Sequence, residues 1–202
     1  MIGTNHKGLA ERIAAQFAES IEVKQRVLEM EIGTLAQIAE ILVAALRRGN
    51  RVLLCGNGGS AADSQHIAAE LVGRFGRERT ALPAIALTTD TSILTALAND
   101  YSYADVFARQ VEAWGSPGDV LVGISTSGNS PNVLKAMRTA RERGMHTIGF
   151  TGASGGQLPE MTDVCFRVPS RSTSRIQESH ITAGHALCEM IERELFDTHD
   201  ES

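Results

Sequence analysis

The amino-acid sequence predicts an α/β fold: a three-layer sandwich around a five-stranded parallel sheet, with two helices ahead of the first strand. Three observations carry this prediction. From Arg51 onward, short apolar runs alternate with helical stretches. The runs are apolar throughout rather than alternating, as strands buried on both faces are. Loops rich in glycine, serine and asparagine follow two of them, at the carboxyl ends where open α/β sheets bind ligands. At 202 residues the chain can bury one sizeable core. A single domain over 1–202 is therefore expected, with 1–49 forming the leading helices.

Leu9, Ile13, Phe17 and Ile21 recur every four residues, and Val27 and Leu28 continue the stripe of a long amphipathic helix. Gly33 is expected to break it. Thr34 then reads as an N-cap, Gln37 completes a capping box, and Gly49 ends the second helix. Two such helices exceed what a minimal α/β core needs, so their apolar stripes are expected at an oligomer interface. Strands are expected at Val52–Cys55, Ala84–Leu87, Val120–Ile124, Thr147–Phe150 and Val164–Val168. Helices are expected from Ala61 to Val72, from Pro131 to Arg143 with Gly144 closing it, and from about Ser174 to Leu195.

Composition narrows the class. A formal charge of -5 argues against a nucleic-acid surface, which carries a basic excess. An anionic ligand must then be held by local donors rather than by the overall field. Cys55, Cys165 and Cys188 lack metal-like spacing and suggest buried thiols in a reducing compartment. The N-terminus lacks the layout of a signal peptide. The longest apolar stretch, Ile41 to Leu46, is far short of the ~20 residues that span a bilayer. The expectation is a cytoplasmic protein with neither a membrane nor a nucleic-acid partner.

Two loops are candidates for an anion. Gly56-Asn57-Gly58-Gly59-Ser60 follows the first strand and leads into a helix whose N-terminal amides and dipole favour negative charge. Ser60 reads as its N-cap, and Asp63 suits the first turn. The stretch fits a dinucleotide fingerprint only formally. The acidic residue such a site wants about 20 positions on is missing, since Asp90 follows the second strand too late. A plain tight turn remains the alternative. Ser125-Thr126-Ser127-Gly128-Asn129-Ser130 follows the third strand, and Pro131 sits at the first helical position. Four hydroxyls exceed what one cap needs, and with helix-start amides they can bind phosphate without lysine.

The candidate reactive side chains are few. His66 and Glu70, four apart, share one helix face above the glycine loop. The last helix carries Gln177, His180 and His185. Histidine with glutamate suits zinc or acid/base work, although the same spacing also makes plain surface pairs. Gln177 and His185 lie about 12 Å apart along the helix and about 80° around it. Spacing alone does not bring them to one ion. His180 and Arg74 read as packing or surface residues, and Leu187 and Met190 as core-facing.

Taken together, Cys55 to Asp63, His66, Glu70, Thr88-Thr89-Asp90, Asn99-Asp100, Ser125 to Ser130, Arg175-Ile176-Gln177-Glu178 and His185 resemble the phosphoheptose isomerases of the sugar isomerase (SIS) domain group. The resemblance runs nearly end to end, leading helices included. It implies a flavodoxin-like SIS fold and conversion of sedoheptulose 7-phosphate to D-glycero-D-manno-heptose 7-phosphate. It further implies a homotetramer with active sites near subunit interfaces, and one zinc per subunit. By the same resemblance Ser125, Thr126, Ser127 and Ser130 grip the phosphate. Asn57, Gly58, Gly59, Ser60, Asn99 and Asp100 line the sugar. His66, Glu70, Gln177 and His185 match the metal ligands, Glu70 and His185 the acid/base pair, and Glu70 and Gln177 also meet substrate. Some members carry an acidic residue three before the glutamine, where this chain has Ser174. The alternatives are a non-catalytic SIS regulator that binds the replication initiator, or an isomerase of another phosphosugar.

Overall fold

A computed structural model describes residues 6–197. The ends of the expected 1–202 domain, residues 1–5 and 198–202, lie outside the described residues. The chain opens with helices α1 (His6–Met30) and α2 (Ile32–Arg47). Strand β1 (Val52–Gly56) leads into α3 (Gly59–Val72), and β2 (Ala84–Ala86) into α4 (Thr91–Asp100). A 3-10 turn at Tyr103–Asp105 precedes α5 (Ala108–Trp114), β3 (Val120–Ile124) and α6 (Pro131–Glu142). Then come β4 (His146–Gly152), β5 (Val164–Val168) and α7 (Thr173–Phe196).

The five strands form one parallel sheet in the order β2-β1-β3-β4-β5. Alternate residues of each strand feed two cores. Val52, Leu54, Val120, Val122 and Ile124 pack with α2, α3 and α7, whereas Leu53, Cys55 and Leu121 pack with α5 and α6. This is the expected sandwich, and every expected strand is present. Because β1 pairs with both β2 and β3, the chain reverses its direction of travel between β1 and β3. A crevice at such a switch point is where doubly wound sheets bind ligands.

Several local expectations fail, among them Asp63 in the first turn of α3, which holds no acidic residue. The break between the leading helices falls at Glu31, and Gly33 and Thr34 lie inside α2, where Thr34 caps nothing. An α-helical Gly33 is tolerated because α2 packs its next turns, from Ile38 on, into the core. Ser60 is not the N-cap of α3 either. Gly58 holds that position with φ 55, a left-handed conformation that favours glycine, and Ser60 sits buried in the first turn. Met190 is 39% exposed rather than core-facing, while Leu187 is buried.

The stripe on α1 divides. Val23 and Val27 bury against the domain, but Leu9, Ile13, Phe17, Ile21 and Leu28 stand exposed, Phe17 at 68%. Cys55 and Cys188 are buried, Cys165 is half-buried, and burial pushes the Cys55 thiol up to about 12. Among the described residues no helix is long and apolar enough to cross a membrane.

Candidate active site

The carboxyl ends of β1 and β3 present the two loops side by side. The Asn57 Nδ2 donates to Asn132 Oδ1 at 2.9 Å, and Asn132 Nδ2 donates back to Asn57 Oδ1 at 2.9 Å. This reciprocal amide pair ties the glycine loop to the first turn of α6, and the Tyr103 hydroxyl adds a third bond to Asn57 Oδ1 at 3.1 Å. Neither Asn132 nor Tyr103 stands out in the sequence, because their partner lies far along the chain.

In the serine loop, Ser130 occupies the N-cap of α6 and Pro131 the first turn, as expected. Its hydroxyl does not cap the helix. It pairs instead with the Ser125 hydroxyl at 2.9 Å. Pro131 has no amide hydrogen and the Val133 amide donates to Asn132 Oδ1 at 3.0 Å, so among the described residues the Asn132 amide is the first-turn donor left for another acceptor. Ser127 Oγ accepts from the Asn129 amide at 3.2 Å. Asn99 and Asp100 close α4, both exposed, with Asn99 Nδ2 donating to Asp100 Oδ1 at 2.9 Å. Their bond is to each other, not to either loop.

The reactive side chains meet where α3 and α7 touch. His66 Nε2 lies 3.1 Å from Glu70 Oε1, and His185 Nε2 lies 3.1 Å from His66 Nε2. One ligand atom from each of His66, Glu70 and His185 falls within 4.8 Å of the others. Two ring nitrogens facing at 3.1 Å leave room for at most one proton between them. A carboxylate oxygen adds a further lone pair to the same point, so the set suits a cation.

Close approach of the two helices makes this meeting. A Cβ on Gly184 would lie 2.7 Å from Ile67 Cδ1, and one on Gly59 would lie 2.5 Å from Gln177 Nε2. Gln177 thus rests on the glycine loop, one end of the seam, while His185 meets His66 farther along. The half-buried Asp63, one turn before His66, has an Oδ2 that meets no hydrogen-bond partner among the described residues. Burial pushes its carboxyl above its ordinary value, and the His66 and His185 rings pull it partly back. The Phe75 ring lies 5.7 Å from that of His185.

The remaining candidates take plainer roles. His180 is fully buried between Phe150 and Phe166, its Nε2 3.2 Å from the Thr151 carbonyl, and burial brings it down to about 4. Arg74 makes a surface ion pair with Glu78, and Asp90 caps α4 by accepting from the Ile93 amide. Ser174 bonds the Ser172 hydroxyl at 3.1 Å.

A family model described as SIS domain matches residues 16–152. A phosphoheptose isomerase from Roseiflexus sp. is 63% identical over 88% of this chain and 90% of its own length. One from Aquifex aeolicus is 56% identical over 91% and 96%. The solved phosphoheptose isomerase of Neisseria gonorrhoeae superposes with a TM-score of 0.87 at 51% identity, covering 91% of this chain and 98% of that one. That of Francisella tularensis superposes at 0.88 and 40% identity, over 91% and 98%. The chain therefore belongs to the SIS domain family and, within it, to the phosphoheptose isomerases.

Proposed function

We propose that this chain interconverts sedoheptulose 7-phosphate and D-glycero-D-manno-heptose 7-phosphate through an enediol(ate). The observation that carries the reading is the convergence of His66, Glu70 and His185 within 4.8 Å, on a helix seam that begins at the glycine loop. Ketose-to-aldose conversion breaks a C1–H bond and makes a C2–H bond, while a hydroxyl proton moves between the two oxygens. A base, an acid and a stabiliser of the developing charge are required. Glu70 and His185 supply the base and the acid.

The remaining residues hold the substrate. Ser125, Thr126, Ser127 and Ser130 take the phosphate, an assignment supported by the Ser125 and Ser130 hydroxyls meeting at 2.9 Å at the head of α6. Asn57, Gly58, Gly59, Ser60, Asn99 and Asp100 line the sugar, and Gln177 reaches it from its seat against Gly59. The donor set of two imidazoles and a carboxylate fits zinc, which takes three protein ligands and an open position in catalytic sites. His66, Glu70 and His185 would hold it, and the resemblance to the phosphoheptose isomerases adds Gln177 as a further ligand. When bound, zinc polarises the carbonyl and hydroxyl oxygens of the substrate.

The exposed apolar face of α1, with Ile13, Phe17 and Ile21, supports a homotetramer whose sites lie near subunit interfaces. Three free thiols, two of them buried, support a cytoplasmic protein. The test is incubation of purified protein, with zinc supplied, with sedoheptulose 7-phosphate, followed by chromatographic separation of ketose and aldose. The aldose is expected to appear. A folded, zinc-supplied protein that leaves the ketose unchanged overturns the reading and favours a non-catalytic SIS regulator or another phosphosugar.

A further inference from the structure

The far end of the α3–α7 seam is closed by an ion pair remote from both loops. Arg79 Nε donates to Glu192 Oε1 at 2.9 Å, with side-chain exposures of only 1% and 4%. Glu192 also accepts from the backbone amides of Phe75 at 2.7 Å, Gly76 at 2.8 Å and Arg77 at 3.2 Å. Arg79 places its remaining donors on the end of α3 and the segment that follows it. Its Nη1 bonds the Leu71, Gly73 and Thr80 carbonyls, and its Nη2 donates to the Glu70 carbonyl at 2.8 Å.

Three contacts therefore pair the helices in order along their lengths. Gln177 sits on Gly59, Gly184 on Ile67, and Glu192 on the segment after α3. His66, Glu70 and His185 lie around the middle contact. Glu192 is seven residues beyond His185, so two turns on and about 20° around, on the same face of α7. Phe75, whose amide Glu192 holds, is the residue whose ring packs on His185. Burial would raise the Glu192 carboxyl, yet the three amides and Arg79 together hold it below its ordinary value. A buried ion pair is weak evidence for stability, because desolvation offsets much of its attraction. What this one fixes is geometry: it grips the main chain of Glu70 and the neighbour of His185 at once.

We propose that Arg79 and Glu192 are positioning residues for the acid/base cluster, setting the distance at which Glu70 and His66 on α3 meet His185 on α7. The proposal rests on the isomerase reading of that cluster. It predicts that loosening the pair lowers turnover and cation affinity while sparing the phosphate loop, and so KM.

The experiment compares Arg79→Lys, which keeps the charge but loses the fork, and Glu192→Gln with the unaltered chain. A third variant, Val111→Ala, truncates a buried side chain of the opposite core and controls for general destabilisation. Three quantities are read on protein shown to be folded by circular dichroism: kcat, KM for sedoheptulose 7-phosphate, and affinity for Zn2+ by competition with a chelator. Arg79→Lys and Glu192→Gln are expected to lower kcat and zinc affinity by about 10- to 100-fold, the size of effect seen for groups that orient metal ligands. KM should stay within about threefold, and Val111→Ala should change none of the three by more than that.

Folded Arg79→Lys with unaltered kcat and zinc affinity would overturn the proposal, as would an equal fall in kcat for Val111→Ala. If Glu192→Gln does not fold, Arg79→Lys decides alone. Failure of the underlying reading looks different, because then the unaltered chain itself shows no turnover. Unaltered chain that turns over without binding zinc removes the metal only, and a selective fall in kcat for Arg79→Lys then supports the positioning role.

Discussion

The α3–α7 seam and the loop after β3 are built from opposite materials, though both are reached from the carboxyl ends of neighbouring strands. The seam gathers titratable groups, His66, Glu70, His185 and Asp63, by pressing two long helices together at Gly184. The serine loop gathers hydroxyls at the head of α6, with no charged side chain between Ser125 and Ser130. A site that binds an anion without a fixed positive charge discriminates by geometry, whereas a site that moves protons needs groups whose charge changes. The division predicts that damage to the seam appears in kcat and damage to the loop in KM.

The largest expected effect is on the seam. Glu70→Gln should lower kcat by about 100- to 10,000-fold, the usual range for loss of an acid/base group, with the fold kept. Near-normal turnover would remove Glu70 from the chemistry. On the loop, Ser130→Ala should raise KM by about 10- to 100-fold, the worth of one hydrogen bond to a charged group, with kcat little changed. A steady-state titration of both variants separates the two arms. A Ser130→Ala variant that loses kcat alone would break the division.

Two smaller effects test the helix that carries both a buried and a reactive histidine. His180 is held neutral to about pH 4, against an ordinary value of 6.5. The unfolded chain therefore takes up a proton on this residue first. Its contribution to stability is complete above pH 6.5 and falls as pH drops toward 4, by about 3 kcal/mol. His180→Gln should remove that component, so urea unfolding of variant and unaltered chain should converge as pH falls from 6.5 to 4. Smallest is Gly184→Ala, whose methyl group would press on Ile67. A loss of about 1 kcal/mol, or about 2–4 °C in Tm, is expected. Adding Ile67→Val should recover part of it, which calorimetry can follow.

Much of this architecture is legible in the amino-acid sequence alone. The strands are readable because burial on both faces makes them continuously apolar, as at Val120–Ile124. The surplus of hydroxyls in Ser125–Ser130, on which the proposed phosphate contact rests, is readable as well. Cap chemistry is not. Thr34 and Ser60 have the right side chains for N-caps, but packing of Ile38 and the left-handed turn at Gly58 set the helix starts elsewhere. The meeting of His185 with His66 spans 119 residues, and that of Arg79 with Glu192 spans 113. No local pattern reports contacts of that kind, so the sequence holds the reactive residues but not the seam that assembles them. Resemblance to the isomerases supplies those pairings in part, whereas Arg79, Glu192, Asn132 and Tyr103 emerge only from the fold.

The measurement that bears most directly on the central claim is proton NMR of the zinc-supplied protein with sedoheptulose 7-phosphate in heavy water. The account predicts an aldose anomeric signal with deuterium entering at C2, and no such signal from folded Glu70→Gln on the same timescale. Aldose formation at the same rate in both proteins would contradict it, as would an unaltered chain that forms no aldose.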